Sequence, residues 1–274
     1  MSSISLNVAT ASGAIKLETS PDTPLFVLGR NGTGKSALVQ SFASQLAGKA
    51  IYLPGSRPSH FEGESLNLTP FTRSRLGQNL LSWDSMPDTR WKSNAGTSRN
   101  EKAIHDLTAA EVQFKVDAAN EIKRDGRDSG AVYRLQAGMS PLDRVNTLLK
   151  QANLPITVAI DKAELKAKGE GVLYSIAKMS DGERSALVLI AEVVAAPAGS
   201  VFLIDEPELH LHRSIGVPLI SSMIRENPAS TFIVSTHELE LPAACPQASV
   251  VIVRSCYWNG GAIGGWEIDI VPKA

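Results

Sequence analysis

Cysteine is scarce in this chain of 274 residues: only Cys245 and Cys256 occur. They lack the spacing of a metal site, and so low a count points to a reducing cytoplasm. An excess of either charge is also missing. The formal net charge of −1 gives no global electrostatic case for nucleic acid or a membrane surface, although it leaves room for a local patch. No apolar run approaches the ~20 residues of a spanning helix. The opening residues, Met-Ser-Ser-Ile-Ser-Leu-Asn, have neither the basic nor the apolar region of a signal peptide. Direct membrane insertion is therefore not expected, and service to a membrane assembly would be as a peripheral subunit. Residues 1–23 hold no aromatic side chain. What is present is ordinary: 43% hydrophobic and 20% charged residues suit one large globular domain, or a domain with a subdomain.

Against that background residues 24–36 stand out. Leu25-Phe26-Val27-Leu28 reads as a short buried strand. It runs into Gly29-Arg30-Asn31-Gly32-Thr33-Gly34-Lys35-Ser36, which fits the G-x-x-x-x-G-K-[ST] phosphate loop at every position. Leu38, Val39, Phe42 and Leu46 follow at helical spacing. Glycines let successive backbone N–H groups turn toward an anion, and the helix start adds partial positive charge. Lys35 is expected to reach the β- and γ-phosphates of a nucleoside triphosphate, and the Ser36 hydroxyl to ligate Mg²⁺.

Around this motif the chain alternates elements. Residues 3–9 and 14–18 read as two strands, and 50–53 as a buried strand ended by Pro54-Gly55. From Ser56 to Asn100 the composition predicts mostly loop, with one helix capped by Thr69 and with 93–100 mobile. Ile104, Leu107, Phe114, Ala118 and Ile122 share one face of a long helix. Lys123, Arg124 and Arg127 near its end fit cations at a helix C-terminus better than a phosphate-backbone contact. Ser140-Pro141 starts a further helix, and 156–160, 164–168 and 172–176 form a strand meander with lysines on its solvated face. Near the C-terminus, 250–254 and 266–271 are expected to pair as a hairpin across Gly260, Gly261, Gly264 and Gly265.

Two more stretches carry chemistry. Ser180-Asp181-Gly182-Glu183 reads either as a capping box, with Ser180 and Glu183 closing a helix start, or as a second anion site presented by Ser180 and Gly182. Val201–Asp205 is an apolar strand ending in adjacent carboxylates, Asp205 and Glu206. In phosphoryl transfer these residue types hold Mg²⁺ and orient or deprotonate the attacking water, respectively. His237 follows the strand Thr231–Ser235, at the end where open α/β sheets place ligand chemistry. His210 and His212 lack a third metal ligand and are expected to be structural.

These motifs, in this order, resemble an ABC-class ATPase head: Gly29–Ser36 as Walker A, Ser180–Glu183 as signature, Val201–Glu206 as Walker B and His237 as switch histidine. The resemblance implies an α/β P-loop fold with a mixed sheet, N-terminal antiparallel strands and a helical lobe inserted at 56–155 within one domain, 1–274. It implies ATP and Mg²⁺ as cofactors, with Ser36 and Asp205 as metal ligands and Lys35, Glu206 and His237 as catalytic groups. It also implies a head-to-tail dimer in which Ser180, Gly182 and Glu183 of one subunit complete the nucleotide site of the other. Departures narrow the group. Transporter ATPases stack adenine on an early aromatic, which is absent here. The glutamine expected after residue 53 is replaced by Gly55-Ser56-Arg57, with Gln78 a remote alternative. Asp-Glu-Pro-Glu-x-His-Leu-His and Ser-Thr-His-Glu resemble the RecF/SMC and OLD-like group, and within it the ATPases of phage-defence systems of the OLD, Septu and PARIS kinds. No long heptad region is present, so an SMC-type arm is not expected. A regulatory ATPase controlling a separate effector, such as a TOPRIM-type nuclease, is the favoured expectation. A transporter subunit and a DNA-repair or SMC-like ATPase are the alternatives.

Overall fold

The computed structural model describes residues 3–46, 48–64, 66, 68–90, 92, 95–126 and 130–272. In chain order the elements are β1 (Ile4–Thr10), β2 (Gly13–Thr19), β3 (Leu25–Leu28), α1 (Lys35–Gln45), β4 (Ala50–Leu53), α2 (Pro70–Trp83), α3 (Ser98–Asp125), α4 (Gly130–Gln136) and α5 (Pro141–Gln151). There follow β5 (Thr157–Asp161), β6 (Glu164–Gly169), β7 (Val172–Ser175), α6 (Asp181–Ala195), β8 (Val201–Asp205), α7 (Arg213–Glu226), β9 (Thr231–Thr236), α8 (Glu240–Ala243), β10 (Ser249–Asn259) and β11 (Ala262–Val271). They fall into two compact units, Met1–Arg57 with Arg75–Gly96 and Pro197–Ala274, and Pro58–Ser74 with Thr97–Ala196.

The first unit is built on a six-stranded sheet in the order β11-β10-β3-β9-β8-β4, parallel except for the antiparallel edge strand β11. β1 and β2 form their own antiparallel pair. Every residue of β3 and β9 is buried, as expected of parallel strands covered on both faces. Leu38 and Phe42 of α1 pack with Leu25, Val27, Tyr52, Val251 and Trp266 in one core. Each such side chain contributes about 1.5–3 kcal/mol by leaving water. Phe202 and Phe232 stack on neighbouring strands with ring centroids 5.1 Å apart. The parallel register sets Leu28 beside Thr236 and Asp205 beside Ser235. The carboxyl ends of β3, β9 and β8 therefore lie in one row, where such sheets bind ligands.

The second unit packs α3, α5 and α6 together with the meander β5-β6-β7. Ile104, Leu107, Val145, Leu149, Leu187 and Ile190 are buried there. Ser140 and Asp143 form a capping box at α5, with Pro141 in its first turn. Among the described residues no helix is long and apolar enough to cross a membrane.

Two local expectations need correction. Residues 98–100, read as loop, already belong to α3, because Asn100 is buried and its Nδ2 donates to the carbonyls of Pro58 and His60. Ser93, Asn94 and Arg127 lie outside the described residues. The C-terminal hairpin is also longer than its apolar runs suggest. Its turn is Gly260-Gly261 alone, with φ of 57° and 85°, as a two-residue primed turn requires. Gly264 and Gly265 are strand residues: a Cβ on Gly265 would lie 2.5 Å from the Tyr257 hydroxyl, so the ring occupies the space a side chain would need.

Candidate functional site

The loop from β3 to α1 is shaped by close contacts on its outer side. A Cβ on Gly29 would lie 2.6 Å from the Val253 carbonyl oxygen, which only glycine avoids. Gly34 adopts φ 91°, and a Cβ there would meet Cys256 Sγ at 2.9 Å and Trp266 Nε1 at 3.0 Å. It is thus glycine on two counts, backbone conformation and space. Trp266 Nε1–H donates to the Gly34 carbonyl at 3.0 Å, so the hairpin, far away in sequence, braces the loop directly. The Arg30 carbonyl gathers the loop from within, accepting from Thr33 Oγ1 at 2.9 Å and from Lys35 Nζ at 3.0 Å. Gly34 N-caps α1 without any side-chain cap, and its first turn holds no acidic residue. An uncapped helix start with its partial positive charge suits a phosphate.

Lys35 is only 2% exposed, and its Nζ lies 3.0 Å from Glu206 Oε1. The cation of the phosphate loop and the last carboxylate of the Asp205-Glu206 pair are thus in direct contact. Glu206 adopts the left-handed conformation, φ 42° and ψ 62°, which is sparsely populated by non-glycine residues. Its N–H donates to Ser235 Oγ at 3.1 Å. Such a conformation costs about 1–3 kcal/mol and persists where its surroundings over-determine it.

Asp205 is 4% exposed at the end of β8. Oδ1 accepts from the Ser235 hydroxyl, and Oδ2 is 3.4 Å from the Tyr52 hydroxyl. Burial holds its carboxyl above the ordinary aspartate value, and the Glu206 charge pushes the same way. Hydrogen bonds from Ser235 and Ser36, and the positive charge of Arg57, oppose that shift. The hydroxyl of Ser36 and the carboxylate of Asp205 therefore meet, two hard oxygen donors of the kind Mg²⁺ takes. Among the described residues no cluster of three His, Cys, Asp or Glu side chains is placed to hold a metal alone. A cation here would need the remaining ligands from water and phosphate, which is the habit of Mg²⁺. The residues fit the group.

His237 follows β9 directly. Together with Gly29, Arg30, Thr33, Leu239 and Arg254 it lines a cleft of about 650 Å³ beside the phosphate loop. Its backbone N–H and its Nδ1 lie 2.8 Å and 3.0 Å from Glu208 Oε1. His210 Nε2 is 2.9 Å from the Gly55 carbonyl, and His212 Nδ1 accepts from Ser214 N–H at the start of α7, so both have structural work. Arg57 is buried and donates to the carbonyls of Leu53 and Pro54, while Gln78 is exposed on α2. In the second unit Ser180 and Glu183 form the capping box of α6. Glu183 Oε2 accepts from both the N–H and the hydroxyl of Ser180, each at 2.8 Å. Around Gly182 a Cβ would meet nothing within 4 Å, so that position is open.

Sequence reasoning missed Ser235, Glu208, Tyr52 and Trp266. Ser235 and Glu208 sit inside the quoted motifs and were visible as polar neighbours of His237 and Glu206. Tyr52 and Trp266 arrive through strand order and had no local signal.

A family model described as "AAA domain, putative AbiEii toxin, Type IV TA system" matches residues 167–243, a span that includes Ser180–Glu183, Asp205, Glu206 and His237. No curated protein matches the chain. Among solved structures, an SMC head bound to the C-winged helix domain of ScpA is 14% identical, with a TM-score of 0.53, covering 99% of this chain and 98% of its own. An SMC head domain with an extended coiled coil, bound to the C-terminal domain of ScpA derived from Pyrococcus furiosus, is 15% identical at a TM-score of 0.50, covering 98% and 96%. At such identities the likeness is one of fold. The chain has the mixed α/β fold of these SMC heads.

Proposed function

We propose that the protein is a regulatory ATPase that binds and hydrolyses ATP and passes its nucleotide state to a separate effector chain. The observation that carries this is the convergence at the ends of β3 and β8: Lys35 Nζ lies 3.0 Å from Glu206, and the Ser36 hydroxyl is close enough to Asp205 to oppose the rise in its pKa. Residues 29–36 hold the phosphates through backbone N–H groups, with Lys35 against the β- and γ-oxygens. As Lys35 turns to phosphate, Glu206 is released to take up a water. That water attacks the γ-phosphorus, the bond to the β,γ-bridging oxygen breaks, and the water's proton passes to Glu206, giving ADP and phosphate. Bound Mg²⁺ supplies charge neutralisation on the phosphate oxygens, with Ser36 and Asp205 as its protein donors. His237 faces the same cleft as a further contact to the γ-phosphate.

The site is completed in a homodimer, where Ser180, Gly182 and Glu183 of a second copy approach the phosphates. Output goes to a partner of the TOPRIM nuclease class in phage defence, a reading supported by the resemblance of Asp205–His212 and Ser235–Glu238 to the OLD- and PARIS-like ATPases. The toxin and TA-system wording of the matching family model is in keeping with that role. The alternative, an SMC-like ATPase, has in its support the fold shared with an SMC head solved bound to the C-winged helix domain of ScpA. Glu206→Gln separates binding from chemistry. ATP should still bind, turnover should fall about 10²–10⁴-fold, and a dimer should persist with ATP and Mg²⁺ on sizing. A monomer of unchanged turnover would remove the assignment.

A further inference from the structure

Glu208 has no part in the phosphate or metal roles, yet it is among the most committed carboxylates in the first unit. Its side chain is 6% exposed. Two donors hydrogen-bond to one oxygen, Oε1, the Thr236 hydroxyl at 2.7 Å and the His237 backbone N–H at 2.8 Å, and His237 Nδ1 lies 3.0 Å from the same oxygen. The other oxygen, Oε2, is buried and has no hydrogen-bond partner among the described residues. A carboxylate that merely tied the turn at 207–210 to β9 needed only the Thr236 contact. Committing a nearly buried charge to the ring of a 39% exposed histidine is a further step, and it orders a side chain that would otherwise turn freely.

We infer that Glu208 is a positioning residue: it fixes His237 through Nδ1 and leaves Nε2 as the working nitrogen at the phosphate-loop cleft. An ionised carboxylate only accepts hydrogen bonds, so the ring nitrogen it meets carries the proton. The two imidazole nitrogens are distinct, and the partner of one sets the role of the other. With Nδ1–H held by Glu208, neutral His237 offers an Nε2 lone pair, and protonated His237 offers an Nε2–H donor to a phosphate oxygen. Because Glu208 N-terminally neighbours the 209–212 segment and lies two residues beyond Glu206, any shift of this turn reaches His237 as well as Glu206. His237 and Glu206 are thereby linked by one short stretch of backbone.

The inference rests on the ATPase reading for its kinetic consequence but not for its geometry, and the tests separate the two. In the full-length protein, ¹⁵N NMR of the His237 imidazole should show the Nδ1–H form in wild type and in Glu208→Gln, whose amide oxygen still accepts. Glu208→Ala should shift it toward Nε2–H. Steady-state ATP turnover should show kcat reduced about 10–100-fold in Glu208→Ala with KM within about twofold, the scale of a lost orienting partner. Glu208→Gln should recover part of that loss. In a His237→Ala background Glu208→Ala should lower kcat no further, since the two act as a unit. An Nε2–H tautomer in wild type overturns the inference, as does an unchanged tautomer in Glu208→Ala, or full additivity in the double variant. Wild type without ATP turnover would defeat the ATPase reading alone, and the tautomer measurements would still decide the geometry.

Discussion

The chain contains two helix starts with a claim to bind phosphate, at α1 and at α6, and they are built in opposite ways. α1 begins at Gly34, with no side-chain cap and no acid in its first turn. α6 begins at Ser180, whose hydroxyl accepts from Glu183 N–H and donates to the Glu183 carboxylate, while Asp181 pairs with Arg184. One end keeps its donors for a ligand and adds Lys35. The other satisfies them from its own sequence and carries two acids. A helix N-terminus is thus a site only where its donors have been left free. For α6 to serve an anion on a second copy, Glu183 has to release Ser180, so its part in nucleotide binding is conditional where that of α1 is built in.

The sharpest way to break this contrast is Lys35→Ala. Loss of the cation facing the phosphates should weaken nucleotide binding about 10²–10³-fold, or 3–4 kcal/mol, measured by titration of the purified protein with ATP. Affinity near wild type would mean that the open helix start is not the phosphate site. Asp205→Asn tests the metal side of the same end. Burial first, and the Glu206 charge second, raise the Asp205 pKa in the folded state. The native protein therefore holds this proton to higher pH than the unfolded chain does, so its contribution is present at low pH and is lost as pH rises through the folded value. Asp205→Asn, which has no such proton to lose, should therefore flatten the fall in melting temperature with rising pH while weakening the Mg²⁺ dependence of ATP binding. A variant whose melting temperature falls more steeply with rising pH than that of wild type would contradict the sign. The smallest effect is expected of Ser180→Ala, which removes the cap of α6 and should cost about 1 kcal/mol of stability in a urea melt. It should leave nucleotide affinity of the single subunit unchanged. A loss of affinity comparable to that of Lys35→Ala would erase the distinction between the two ends.

What could be read from the sequence was whatever is decided within a few neighbouring residues. The phosphate loop, the Asp205-Glu206 strand end and the cap at Ser140 are local patterns, and the fold class follows from their order. The SMC-head likeness is consistent with that fold and leaves the defence assignment as a proposal. Contacts assembled by strand order were illegible. Nothing near Trp266 announces that its indole bonds to Gly34, because β10 lies beside β3 only once the sheet exists. The hairpin illustrates the opposite error. Four glycines within six residues suggested one wide turn, but Gly264 and Gly265 are there to admit the Tyr257 ring. Glu208 stands within a local motif, but its partner His237 is 29 residues away, so no local pattern shows its role.

The position of β3 between β9 and β10 has a consequence in time. Both of its neighbours lie beyond it in the chain by about 200 residues. At the ~5–20 residues per second of protein synthesis, Leu25–Leu28 and the loop after it wait about 10–40 s for a first sheet partner. For that interval a wholly apolar strand has two unpaired edges, and the loop lacks both the Val253 carbonyl behind Gly29 and the indole beneath Gly34. The phosphate site, first to be encoded, is among the last to be completed, so nucleotide can stabilise the finished fold but cannot guide the nascent chain toward it.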